Sequence, residues 1–151
     1  MALLVTAYGV GNVHFGTPKA KAVAALTHDF GTPTAAGPNT GCGPRYTEVA
    51  WGDLVAEFRS NVFSGYRYRA AGWPLDRVRP PTSASPRLAT AKSITLGSTM
   101  TELRSAYGAL RVVGTDRWGA AGLVFYDDGR PLDATRLRHI VEIKVGTCGD
   151  F

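Results

Sequence analysis

The sequence predicts an α+β protein made of two tandem repeats, each packing helix against an antiparallel β-sheet. Three observations predict it: two motifs of the same order, helix-start signals at the same place in both, and alternating apolar runs after each helix. In the first motif, Val13-His14-Phe15-Gly16-Thr17-Pro18 leads into an Ala-rich amphipathic stretch ending at Phe30-Gly31. In the second, Ser93-Ile94-Thr95-Leu96-Gly97-Ser98-Thr99 leads into another, ending at Tyr107-Gly108. Self-similarity of this kind marks a duplicated unit.

Each element has a local reason. Thr17 is expected to cap the first helix, with Pro18 at the first helical position, where a missing N–H costs nothing. Ala20, Val23 and Ala24 then recur at helical spacing. In the second copy Thr99-x-x-Glu102 reads as a capping box, and Met100, Leu103, Ala106, Tyr107 and Leu110 follow at helical spacing. Gly31 and Gly108 suit the helix exits.

A loop over 31–45 is expected next, and then strand. Tyr46 to Trp51 alternates, Gly52-Asp53 offers a turn, Leu54 to Phe58 resumes as strand, and Val62 to Arg69 is a last strand. In the second half Arg117-Trp118-Gly119 precedes Leu123 to Tyr126, Asp127-Asp128-Gly129 offers a turn, and His139 to Val145 closes the series. Pro74, Pro80, Pro81 and Pro86 interrupt regular structure between the copies. The expected boundaries are a first repeat over 1–69, a Pro/Ser/Arg-rich linker over 70–87 and a second repeat over 88–151. One copy alone would bury little surface, so the two are expected to pack together.

Composition narrows the class. With 44% hydrophobic and 19% charged residues, the 151-residue chain is globular rather than disordered. No apolar run approaches the roughly 20 residues that span a bilayer. The net charge of +5 is spread along the chain, which suits a basic surface and makes nucleic acid the least expected partner. Met1 to Ala7 is too short and too uncharged for a complete signal peptide, and reads as a first β-strand or the remnant of a longer precursor.

Motifs for chemistry are sparse. His14, His28 and His139 stand apart from one another and from cysteine, so no metal site is expected. No phosphate loop, dinucleotide fingerprint or nucleophile elbow is present. Gly9-Val10-Gly11 is more simply a turn into a strand. No nucleophile lies beside a base, so the chain reads as a non-enzyme needing no cofactor. Cys42 and Cys148 are each flanked by glycine, in segments able to bend into disulfide geometry. A bridge between them would close a loop of about 100 residues, stabilise the fold by roughly 4 to 5 kcal/mol and point to an oxidising compartment.

The segment most suited to binding is Phe63-Ser64-Gly65-Tyr66-Arg67-Tyr68-Arg69 with Trp73. In a strand Tyr66 and Tyr68 face one way and Arg67 and Arg69 the other, and either face can be the exposed one. Tyr, Trp and Arg dominate binding hot spots. Equally, strands favour tyrosine whatever their function.

Val13-His14-Phe15-Gly16-Thr17 and Leu88 to Thr99 resemble the repeat openings of the β-lactamase inhibitor protein family of actinomycetes. The chain is also similar to secreted or lipid-anchored actinobacterial proteins that end in Gly-Thr-Cys-Gly-Asp, here Gly146 to Asp150. The inhibitor resemblance implies tandem helix-loop-helix units on four-stranded antiparallel sheets, and a first-repeat hairpin turn that presents an aspartate to a target enzyme. Asp53 in Gly52-Asp53 matches that position. The family's disulfide within each repeat has no counterpart, since each half holds one cysteine.

The expected function is therefore an exported, non-enzymatic binding protein, secreted or associated with the cell envelope. It would present a sheet face and hairpin loops to a protein or cell-envelope polymer, through Asp53, Tyr66, Arg67, Tyr68, Arg69 and Trp73. The alternatives are an inhibitor of a secreted hydrolase such as a β-lactamase, and a small module or enzyme acting on cell-wall glycan, marked by a pocket of Trp and Tyr.

Overall fold

Helix α1 (Lys19–Phe30) begins without a side-chain cap. The Thr17 hydroxyl instead donates to the His14 carbonyl at 2.7 Å, closing the preceding turn, and the cap position falls on Pro18, one residue later than the sequence suggests. Helix α2 (Met100–Tyr107) has the full capping box: Thr99 Oγ1 accepts from the Glu102 N–H, and Glu102 accepts from the Thr99 N–H. Gly31 and Gly108 end the two helices at φ 83° and 70°, each donating back to the last turn. Leu110 therefore lies beyond α2 rather than on it.

In the computed structural model residues 3–69, 87–129 and 138–148 are described. Nearly all of the expected linker and Trp73 lie outside them, as do Gly149 and Asp150. The first half contains β1 (Leu3–Thr6), β2 (Gly9–Val10), β3 (Val13–His14), then α1, β4 (Ala35–Pro38), β5 (Tyr46–Trp51), β6 (Leu54–Arg59) and β7 (Val62–Arg69). The second half contains β8 (Leu88–Ala89), α2, β9 (Arg111–Gly114), β10 (Arg117–Ala120), β11 (Leu123–Asp127) and β12 (Ile140–Val145). Strand β4 falls inside the expected loop. Its Ala-Ala-Gly-Pro sequence has little strand propensity, and only an edge strand accommodates its proline.

The α+β class holds, with two helices and extensive antiparallel sheet. One eight-stranded sheet runs β4-β5-β6-β7-β12-β11-β10-β9. The halves meet where β7 pairs with β12, Tyr66 opposite Val145 and Arg69 opposite Glu142. A small sheet runs β3-β2-β1-β8, in which β1 pairs in parallel with β8, so the start of each half is also joined to the other.

Alternation sorts the large sheet into two faces. Val49, Trp51, Leu54, Phe58, Phe63, Phe125 and Ile143 form one core with Ala22 and Leu26 of α1 and Met100 and Leu103 of α2. Val5, Val10 and Leu88 of the small sheet join the same core. Burial of side chains this large contributes about 1.5–3 kcal/mol each, which is why helix and sheet propensities need only be adequate here. The opposite face carries Glu48, Ala50, Val55, Arg67, Arg69, Glu142, Lys144, Tyr126 and Arg117, placed there by the strand register. Among the described residues no helix or second sheet layer covers it.

Cys42 and Cys148 form a disulfide, their Cα atoms 5.9 Å apart. It ties the loop after β4 to the segment that follows β12.

Candidate functional site

The helix-free face is organised around β7. Tyr66 and Tyr68 point to the other side, into the core, at 0% and 6% exposure. The Tyr66 hydroxyl donates to the Thr6 carbonyl at 2.8 Å, and the Tyr68 hydroxyl accepts from the Leu88 N–H at 3.4 Å. Burial, with a smaller contribution from Tyr107, pushes the Tyr66 hydroxyl well above its ordinary pKa. Both tyrosines fasten the small sheet to the large one, and burial removes them from the contact surface. Alternation had already assigned the tyrosines and arginines to opposite faces, but it is silent on which face is covered.

Arg67 and Arg69 lie on the helix-free side. Arg67 pairs with Glu48 at 2.5 Å, both side chains about a fifth exposed. Arg69 is only 7% exposed, so it supports the face more than it offers contact. Beside them lies a shallow cavity of about 190 Å³ with Ala35, Gly37, Ala50 and Val55 as its floor and the two arginines and Glu48 as its ionic wall. The space is there because the residues paired across the strands are mostly small: Ala35 opposite Ala50, Ala50 opposite Val55, and Gly37 opposite Glu48. No aromatic residue lines this cavity among the described residues, so it lacks the stacking platform a sugar site uses.

Asp53 sits at the end of this face, in the two-residue turn joining Trp51 to Leu54. Gly52 has φ 60°, which suits the first central position of a II′ hairpin turn. The turn is held from both sides: the Gly52 N–H donates to Thr34 Oγ1 at 3.0 Å, and the Asp53 carbonyl accepts from the Arg69 N–H at 3.0 Å. The structure therefore sets Asp53 against the Arg69 backbone, with Arg67 two residues back along β7, opposite Val55.

A second constellation lies where residues 146–148 cross the same face. Glu57 is buried and accepts from the Cys148 N–H at 2.9 Å and from Asn39 Nδ2 at 3.4 Å. Gly65 makes the crossing possible, since a Cβ there would lie 2.5 Å from the Gly146 carbonyl carbon. Glu57 was not legible as functional in the sequence; its place opposite Glu48 in an alternating strand was the one available signal. His14, His28 and His139 are all exposed, and His139 lies 3.8 Å from Asp128. No helix among the described residues is long and apolar enough to cross a membrane.

Fold and site together define a class: an α+β protein with helices on one side of a wide antiparallel sheet and an ionic, small-residue face on the other. Beyond that class, comparison with protein-family models, with curated proteins and with solved structures finds no match.

Proposed function

We propose that this chain is an exported binding protein that docks a macromolecular partner, a protein, on the helix-free face of its sheet. The supporting observation is the part of that face left accessible: the part-exposed Arg67–Glu48 pair and the braced Gly52-Asp53 turn, beside a centre where Ala50, Val55, Arg69 and Glu142 are buried. A disulfide joining the two halves agrees with an oxidising compartment. The matching run of one helix followed by four strands of the large sheet in each half supports a duplicated unit with repeats over 1–69 and 88–151. Asp53 and Arg67 are the contacts carried forward, with Arg69 behind them.

The test is a crosslinking comparison. A photo-crosslinking residue in place of Asp53 or Arg67 is expected to capture one defined protein from the extracellular fraction of the native host. The same residue in place of Lys21 or Arg104, on the helix side, is expected not to. Capture through the helix side alone would overturn the assignment.

A narrower reading makes the partner a secreted hydrolase that is inhibited by the Asp53 turn. It is favoured by the bracing of that turn, because a loop fixed before binding loses less entropy on docking. Inhibition of a β-lactamase or cell-wall transpeptidase at about micromolar concentration, lost in Asp53→Ala, is the expected result. A panel left uninhibited sinks the narrower reading and leaves the broader one standing.

A further inference from the structure

The β9–β10 hairpin, at the far end of the sheet from β4, carries a pattern that these contacts leave unused. Each strand has an arginine opposite a glycine of the other: Arg117 faces Gly114, and Arg111 faces Gly119. Each guanidinium lies over the glycine it faces. A Cβ at Gly114 would sit 3.0 Å from Arg117 Nε, and one at Gly119 would sit 3.1 Å from Val113 Cγ2 and 3.2 Å from Arg111 Nε. A side chain at either position would lift a guanidinium off the sheet.

A bulge makes the pattern possible. Arg111 and Gly114 are three positions apart, which in a regular strand would put them on opposite faces. The register shifts between Arg117 and Trp118, so that Gly114 pairs with Arg117, Val112 with Trp118, and Val113 is the extra residue. That one residue sets Gly114, rather than Val113, opposite Arg117; both arginines share the helix-free face because Arg117 and Gly119 are two apart on β10 and Arg111 lies opposite Gly119.

The cationic surface extends inward. Arg117 lies 5.7 Å from the centre of the Tyr126 ring, and Lys144 Nζ lies 4.8 Å from the same centre. Unlike Arg67 and Arg138, which sit against carboxylates, Arg111 and Arg117 have no ion-pair partner among the described residues. Next to them Val112 and Val113 are 69% and 42% exposed.

We infer that this hairpin is a docking platform for an acidic segment of the partner protein, one that carries Asp or Glu beside apolar side chains. Two guanidinium groups held flat are preorganised for bidentate carboxylate recognition. Charge complementarity of this kind steers association and sets orientation. Val113, which lies over Gly119 on the arginine side while Val112 pairs with Trp118 on the helix side, favours a protein partner: its exposed isopropyl gains more from an apolar side chain than from a phosphodiester backbone. The inference rests on the reading of the sheet face as a docking surface and adds the chemistry of the partner at the end away from Asp53.

The test uses the disulfide-intact full chain and fluorescence anisotropy with three labelled probes: a short peptide alternating Glu and Leu, its Gln-for-Glu counterpart, and an oligothymidylate of matched charge. The Glu/Leu peptide is expected to bind best. Its affinity should fall about tenfold in Arg111→Ala/Arg117→Ala and at raised salt, and stay unchanged in Lys21→Ala on the helix side. Gly119→Val keeps both arginines but displaces Arg111, and should weaken binding in the same direction. Equal binding of the Gln peptide, tighter binding of the oligothymidylate, indifference to the double substitution, or no binding of the Glu/Leu peptide by the unsubstituted chain overturns the platform. Crosslinking through position 67 separates the two readings: if it persists while the peptide fails, the platform alone falls, and if it fails as well, the docking face falls too.

Discussion

The two halves of the helix-free face both use glycine to let something lie flat on the sheet, but what lies there differs. In the first half Gly65 admits main chain, the Gly146–Thr147 segment on its way to the disulfide. In the second half Gly114 and Gly119 admit the side chains of Arg117 and Arg111. Main chain tied to a disulfide and to the buried Glu57 carboxylate has nowhere to go if the space is filled. A guanidinium on three methylenes can swing away. One half of the face is therefore closed by main chain that has no room to move, the other by side chains that a new methyl displaces at small cost, although both look alike as glycines in alternating strands.

The largest test of this contrast removes the disulfide. Cys42→Ser/Cys148→Ser should lose about 4 to 5 kcal/mol, since the bridged cysteines are 106 residues apart. Denaturant unfolding measures the loss. Below its unfolding transition the variant should still bind the Glu/Leu peptide, because the platform does not touch the bridge; loss of that binding would break the contrast.

A matched pair of glycine substitutions sharpens it. Gly65→Ala forces a methyl against backbone and should cost about 1–3 kcal/mol, whereas Gly114→Ala meets only the Arg117 guanidinium and should stay within about 0.5 kcal/mol. Equal costs in thermal unfolding would show that the two halves are not built differently.

The smallest effect is read on the covered side. Tyr66→Phe removes the bond to the Thr6 carbonyl and should cost about 1 kcal/mol at neutral pH. Its pH dependence has a definite sign. The Tyr66 hydroxyl is raised above its ordinary value of 10.0 in the fold, so above that pH the unfolded chain ionises while the folded one stays neutral. Stability should fall as pH rises past the ordinary value, and Tyr66→Phe should lessen that fall. An unchanged alkaline limb in a denaturation series would show that another group is responsible.

Much of the local structure was legible. The Thr99–Glu102 capping box, the glycine exits of both helices and the bounds of β5 and β7 follow from residues within a few positions of one another. The alternation in β7 separated tyrosines from arginines, and the paired glycine-flanked cysteines announced a bridge. Less of the candidate site was legible. Arg67 lies on the helix-free face and Asp53 in the turn at its end, whereas Tyr66 and Tyr68 lie in the core. The Arg/Gly pairing of β9 and β10 went unread, because it depends on a bulge that local alternation does not register.

The sequence by itself determined what is local: where helices start and stop, which strand residues share a face, and that a disulfide was within reach. Only the tertiary structure decided that β7 pairs with β12, that β1 runs beside β8, which face the helices cover, and where residues 146–148 cross. Period-two alternation divides a strand into two faces but carries no sign. The sign is set by which distant apolar surface arrives to bury one of them, and that choice is made by the whole chain at once.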